Sequence, residues 1–279
     1  MTTPFKQKIF AFLRAGVILL LLGYVGAAGY LYLYQDQKVY RPNVQMQATP
    51  TQWGLVYEDI SLTSEGYRLQ GWWLPGTAGG PVVLFLHGNA SNISQLEKIS
   101  LLFQRVGWST LLFDYRGYGK SAGQPSEAGT YADGQAAWDY LTGFRGIPAH
   151  KIILYGHSLG GGVATWLAVR HPPGGVIMEG SFTSVPDRGA EIYPWLPVRW
   201  LSHTLYDNRS RIGKIKVPLL VMHSREDEVI PFHHGEQLYA LANPPKTFLE
   251  MTGRHNEAFR NWDKAEDVLR DFGRLVTDR

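Results

Sequence analysis

Ser158 lies in Gly156-His157-Ser158-Leu159-Gly160, between the apolar run "KIILYG" and the helical run "LGGGVATWLAVR". A hydroxyl between two glycines, where a strand turns into a helix, is the setting of a nucleophile elbow. The turn is so tight that its neighbours must lack side chains. The serine oxygen then stands at a helix N-terminus, whose partial positive charge favours a developing anion. The chemistry expected is acyl transfer with Ser158 as nucleophile. Gly160-Gly161-Gly162 has neither the lysine of a P-loop nor the spacing of a dinucleotide fingerprint. It reads as close helix–sheet packing.

A nucleophilic serine needs a base, and the chain offers nine histidines. After such an elbow the acid and then the histidine follow in the chain, at the carboxyl ends of strands. His255, in "MTGRHNEAF", follows the last expected strand and is the base that fits. His87 precedes the serine, His157 is its neighbour in the elbow, and His223 comes before the acid. His233 and His234 open a helix, and His150, His171 and His203 read as ordinary polar residues. The acid belongs in "HSREDEVIP", where Asp227 is chosen between Glu226 and Glu228, two carboxylates expected only to be solvated. Its task is to hold the imidazole tautomer and stabilise its charged form. Two backbone N–H donors should receive the oxyanion. One is Leu159, after the nucleophile. The other comes from the loop "HGNA", with Asn89 expected first and Ala90 second.

These residues need a frame. "LVYEDISLT" and "YRLQGWWLP" read as a strand pair turning at Ser64-Glu65-Gly66. After them "PVVLFL", "WSTLLFD", "KIILYG", "GVIMEG", "VPLLVMHS" and "KTFLEM" read as strands. Between and after them lie the helical stretches "SQLEKISLLFQRV", "EAGTYADGQAAWDYLTGF", "LGGGVATWLAVR", "PFHHGEQLYALA" and "NEAFRNWDKAEDVLRDFGRLV". Alternating β and α units imply a mostly parallel sheet covered by helices on both faces. Residues 181–216 interrupt the alternation and are the place for a small lid. There "IYPWLPVRWL" gathers apolar rings, from which Trp195 and Trp200 are expected to line an acyl-binding wall.

The N-terminal segment is of another kind. From Ala15 to Gln35 no residue is charged, and as a helix this stretch would rise ~31 Å, the thickness of a hydrocarbon core. Tyr30, Tyr32 and Tyr34 gather at its far end, as interfacial rings do. Gly26-Ala27-Ala28 could close a cleaved signal peptide, but the apolar run continues well past Ala28. An uncleaved anchor over residues 1–41, spanning about 15–35, is therefore expected, with the remaining residues 42–279 as the folded domain. Lys6, Lys8 and Arg14 before the span favour a cytoplasmic N-terminus and an extracytoplasmic domain.

Residues 1–41 carry five basic residues against Asp36 alone, a net +4, and leave the rest of the chain nearly neutral at −1. No basic stripe suggests a nucleic-acid partner. With no cysteine, disulfides and thiolate metal sites are excluded. Neither a metal nor a cofactor is expected.

With these residues placed, the chain resembles the α/β-hydrolase superfamily, and within it the Bem46-like group of membrane-associated serine hydrolases. The matching stretches are "LHGNA", "FDYRGYGKSAGQPSEAGTYAD", "YGHSLGGGVA", "SREDEVIP" and "GRHNEAF", within residues 50–275. The resemblance implies an eight-stranded sheet and metal-free hydrolysis of an ester, thioester or amide by Ser158, Asp227 and His255. It gives Asp114 and Arg116 structural roles. Arg254, where relatives often carry a small residue, puts an extra cation near the mouth of the site. The function expected is a membrane-anchored serine hydrolase, carboxylesterase- or thioesterase-like, whose acyl substrate can be linked to a lipid or a protein. A serine peptidase of aminopeptidase type and an inactive membrane-tethered interaction module are the alternatives.

Overall fold

In the computed structural model, residues 4–257 and 262–277 are described. The frame is an eight-stranded sheet in the order β1-β2-β4-β3-β5-β6-β7-β8. Its strands are β1 (Glu58–Ser64), β2 (Tyr67–Leu74), β3 (Val82–Leu86), β4 (Ser109–Phe113), β5 (Ile152–His157), β6 (Gly175–Glu179), β7 (Leu219–Ser224) and β8 (Lys246–Met251). The two pairings made by β2 are antiparallel, and every other pairing is parallel. The first hairpin pairs Ser64 with Tyr67 around Glu65 and Gly66, both at positive φ. Such a two-residue turn matches the twist of the strands it joins.

The short apolar runs form the central strands because both of their faces are covered. Along β3, Val82, Leu84 and Leu86 enter one core cluster, while Val83 and Phe85 enter the other. In β5, Ile152 and Leu154 part from Ile153 and Tyr155 in the same way. Helices α2 (Glu97–Arg105) and α9 (Trp262–Thr277) cover the second face, and α3 (Glu127–Asp139), α4 (Gly160–Arg170) and α8 (Phe232–Leu241) the first. The expected terminal helix from Asn256 lies partly outside the described residues. Residues 181–216 carry three short helices, α5 (Val185–Ile192), α6 (Val198–Leu201) and α7 (Asn208–Ile212).

Buried Arg116 ties the hairpin to α3. Its side chain meets both carboxylate oxygens of Asp133, with Nη2 at 2.7 Å from Oδ1, and reaches Ser64 and Glu65. Asp114 accepts the Ile93 N–H, and burial pushes its carboxyl up to about 7.

The N-terminal helix α1 runs from Pro4 to Val39 and is long and apolar enough to cross a membrane. Residues 6–26 are exposed, while Leu31, Gln35 and Tyr40 are buried against the body. Leu31, Ala27 and Ala28 pack on Leu196 and Val198. The Tyr40 hydroxyl meets that of Tyr206 at 2.9 Å inside the core. Packing against the body thus begins near Ala27 rather than after residue 41.

Candidate active site

The chain leaves β5 at His157 and enters α4 at Gly160, so Ser158 must turn within one residue. It does so at φ +53°, a left-handed conformation unusual for a side chain with a Cβ. The glycines make this possible. A Cβ on Gly156 would lie 2.6 Å from the Gly160 carbonyl oxygen, and one on Gly160 would run into the Leu86 carbonyl of β3.

His255 and Asp227 come to the same point from the ends of β8 and β7. The Ser158 hydroxyl lies 3.0 Å from His255 Nε2, and His255 Nδ1 lies 2.7 Å from Asp227 Oδ2. The other Asp227 oxygen accepts the N–H groups of Val229 and Ile230 at 2.9 and 2.7 Å. Burial pushes the Asp227 carboxyl up, but His255 and these two N–H donors outweigh it and hold its pKa below the ordinary value. An ionised carboxylate only accepts, so His255 donates from Nδ1. In the neutral ring Nε2 is then the acceptor that faces the Ser158 hydroxyl. All three side chains are buried.

Beside them is a cavity of about 1140 Å³. Ser158, Leu159, His255, Asn89 and Ala90 line it together. Among the described residues, neither the Leu159 N–H nor the Asn89 N–H has a protein acceptor. The N–H of Ala90, the next residue of the same loop, is equally without a protein acceptor. The rest of the Asn89 residue is fastened. Its side-chain amide donates to the Val39 carbonyl at 2.8 Å, and its own carbonyl accepts from Arg41 N–H and the Tyr118 hydroxyl. His87 holds the same loop, with Nε2 accepting the Tyr115 N–H and Nδ1 donating to the Gly88 carbonyl at 2.7 Å. Burial lowers its pKa to about 4, so it stays neutral.

The structure corrects the expected acyl wall. Trp195 and Trp200 do not line the cavity. They are 58 % and 91 % exposed, and Trp195 turns toward α1, where its ring meets Tyr24 edge-on. The prolines at 194 and 197 break the segment into short pieces, which bury Leu196 and Val198 and turn both indoles outward. The apolar wall is built instead by Phe182, Val185, Ile192, Val198 and Leu201, with Leu31 and Val39 from α1.

Further residues of the site carry no sequence signal. Glu228 accepts the His255 N–H at 3.1 Å and pairs with Arg254 at 3.0 Å, so the extra cation is held at the rim and is absent from the cavity lining. Glu228 looked like one of three loop carboxylates, and only the fold brings it under the histidine. Glu179 lines the cavity at the end of β6, where it accepts the Tyr155 hydroxyl at 2.8 Å and burial pushes its pKa up to about 7. The His157 ring lies 5.2 Å from that of His255. Burial first, and the charge of His255 second, depress its pKa to about 3.

Among the described residues, Glu191, His233 and His234 form the one group whose ligand atoms lie close enough to share a metal ion. The Thr183 N–H donates to His234 Nδ1, which leaves the proton on Nε2, facing Glu191 at 3.2 Å. Glu191 is also paired with Arg188. The cluster is thus satisfied as an ion-pair network.

The α/β-hydrolase-fold family model matches residues 81–204. An uncharacterized Mycobacterium tuberculosis protein is 40 % identical over 70 % of this chain and 70 % of its own length. An uncharacterized membrane protein of Saccharomyces cerevisiae is 31 % identical over 87 % of this chain and 89 % of its own. The lysophosphatidylserine lipase ABHD12 of Xenopus tropicalis is 32 % identical over 69 % of this chain, though over only 57 % of its own length. A solved Pyrococcus furiosus esterase superposes with a TM-score of 0.69 at 21 % identity, covering 84 % of this chain and 96 % of its own. Sheet order, elbow and relatives agree, and the chain is a member of the α/β-hydrolase family.

Proposed function

We propose that this hydrolase is a membrane-anchored serine hydrolase that cleaves a carboxylic ester or thioester through an acyl-enzyme. The observation that carries the reading is the hydrogen-bonded line Ser158–His255–Asp227, opening on a cavity beside two unengaged N–H groups. Ser158 Oγ attacks the substrate carbonyl carbon as its proton passes to His255 Nε2. The carbonyl oxygen takes the negative charge and is met by the Leu159 and Asn89 N–H groups. His255 then gives its proton to the departing alkoxide or thiolate, and the acyl group stays on Ser158. A water molecule attacks next, with the same imidazole as base, and releases the acid. Asp227 holds the imidazole tautomer and balances its charge.

The substrate is read as an acyl lipid or another acyl donor at a membrane. The apolar wall next to Ser158 and the relationship to a lysophosphatidylserine lipase support this. Residues 181–216, which supply most of that wall, serve as the lid. The N-terminal helix serves as the anchor, with its basic end in the cytoplasm and the catalytic body on the other side. A fluorophosphonate probe tests the chemistry. It is expected to label the wild type and to spare Ser158→Ala, and equal labelling of both would overturn the assignment. Recovery of the full chain in the soluble fraction would overturn the anchor.

A further inference from the structure

Helix α1, Pro4–Val39, departs from helical geometry at Tyr34, and the stretch up to Leu33 alone is ~45 Å long at 1.5 Å per residue. The hydrocarbon core of a bilayer is about 30 Å thick, so part of α1 must lie outside it. The structure restricts which part. The Gln35 amide donates to the Leu201 carbonyl at 3.2 Å and accepts from His203 N–H at 2.9 Å. Asp36 accepts the Thr204 hydroxyl. These last turns are committed to the 181–216 segment.

The other end is restricted by charge. Keeping Lys6 and Lys8 out of hydrocarbon means a span of about 20 residues that starts no earlier than Ile9 and ends no earlier than Ala28. Arg14 can reach the near boundary, because helical side chains point toward the N-terminus and long cations extend to the headgroups. Every such span holds Tyr24 at least four residues, ~6 Å or more, inside the far boundary. A span that left Tyr24 in water would take in Lys6, Lys8 and Arg14 together.

Trp195 cannot be separated from Tyr24, since their ring centroids are 6.4 Å apart. We propose that the segment 181–216 is itself seated in the bilayer leaflet on the catalytic side, with Trp195 below the headgroups. The occupant of this surface is lipid, and the exposed rings continue the apolar surface of α1. Ile192 and Trp200, on the same segment as Trp195, are exposed too, and an indole is an amphipathic ring suited to the headgroup level. Leu31, Tyr193 and Val198 join the segment to α1 and also line the cavity, so the lipid-seated layer is also a wall of the cavity. An acyl chain would then have only a short path from the leaflet to Ser158.

The inference rests on the anchor reading, and one experiment separates the two. The chain has no cysteine, so single nitroxide labels can be placed at Leu20→Cys, Trp195→Cys and Asp271→Cys of the full chain in phosphatidylcholine–phosphatidylglycerol vesicles. Asp271 is exposed on α9, whose Phe272 packs at Gly175, at the amino end of β6 and so opposite the carboxyl strand ends that carry the site. Relaxation by oxygen and by a water-soluble nickel chelate is compared. Labels at 20 and 195 should favour oxygen, and the label at 271 should favour nickel. A label at 195 as open to nickel as that at 271, with 20 still in lipid, overturns the seated segment and leaves the anchor standing. A label at 20 that is also open to nickel overturns both.

Discussion

The side-chain amide of Asn89 donates a 2.8 Å hydrogen bond to the carbonyl of Val39, the last residue of α1. The loop proposed to offer the second oxyanion donor is therefore fastened to the end of the apolar helix. Asn89→Ala keeps the backbone N–H and loses only the fastening, a net loss of about 1 kcal/mol. We expect kcat on a soluble p-nitrophenyl ester to fall about fivefold with KM little changed. Removal of residues 1–41 should cost more, at least tenfold, even in detergent. A truncated chain with wild-type kcat would mean that the fastening does not position the loop.

Asp227→Asn tests the tautomer argument. An asparagine can donate to Nδ1, so the imidazole would present its proton to Ser158 instead of a bare nitrogen. A fall in kcat of about 10³- to 10⁴-fold is expected with the fold retained. Circular dichroism and fluorophosphonate labelling rates measured together would check it. A loss below tenfold would remove Asp227 from the mechanism.

The cavity wall predicts a chain-length dependence. With p-nitrophenyl esters from acetyl to octanoyl, kcat/KM should rise until the pocket is full. The rise should be at most about 0.8 kcal/mol, or about fourfold, for each added methylene. Val198→Ala and Leu201→Ala should flatten that slope, whereas Trp200→Ala should leave it unchanged. Equal kcat/KM across the series in the wild type would mean that the acyl chain does not enter this cavity.

Glu179 gives a pH prediction for stability. Burial raises its pKa to about 7 in the folded state, whereas an unfolded glutamate releases its proton near its ordinary value. Between those values the folded chain holds more protons, so this group makes stability fall as pH rises from about 4.5 to about 7. Glu179→Gln removes the effect. Its thermal midpoint should exceed that of the wild type by more at pH 8 than at pH 5, a difference worth up to ~3 kcal/mol. Asp114, raised in the same direction by burial, acts alike in both proteins and cancels. A pH-independent gap would mean that Glu179 ionises normally in the fold.

Much of this protein could be read along the chain because its rules are local. A two-sided apolar run makes a buried strand wherever it pairs, so "PVVLFL" and "KIILYG" became β3 and β5 within a residue of their expected ends. Glycine at 156 reports a constraint that acts within five residues, where a Cβ would meet the Gly160 carbonyl, and Ser158 adopts the left-handed conformation of that tight turn. The order serine, acid, histidine pointed to Asp227 and His255, and the parallel strands bring both within hydrogen-bond reach of one another and of Ser158 at their carboxyl ends.

What tertiary structure alone decided depends on direction and distance. "IYPWLPVRWL" is apolar throughout, and composition cannot tell a ring that faces a cavity from one that faces outward. The broken helices and the position of α1 turned Trp195 and Trp200 outward and Val198 inward. Nor could the charge-free span Ala15–Gln35 reveal that Gln35 would be tied into the body by Leu201 and His203, more than 160 residues away. Glu228 and Asp227 are neighbours of the same chemistry. Asp227 faces the Nδ1 of His255 and Glu228 its backbone N–H, because the turn after β7 sends successive side chains in different directions.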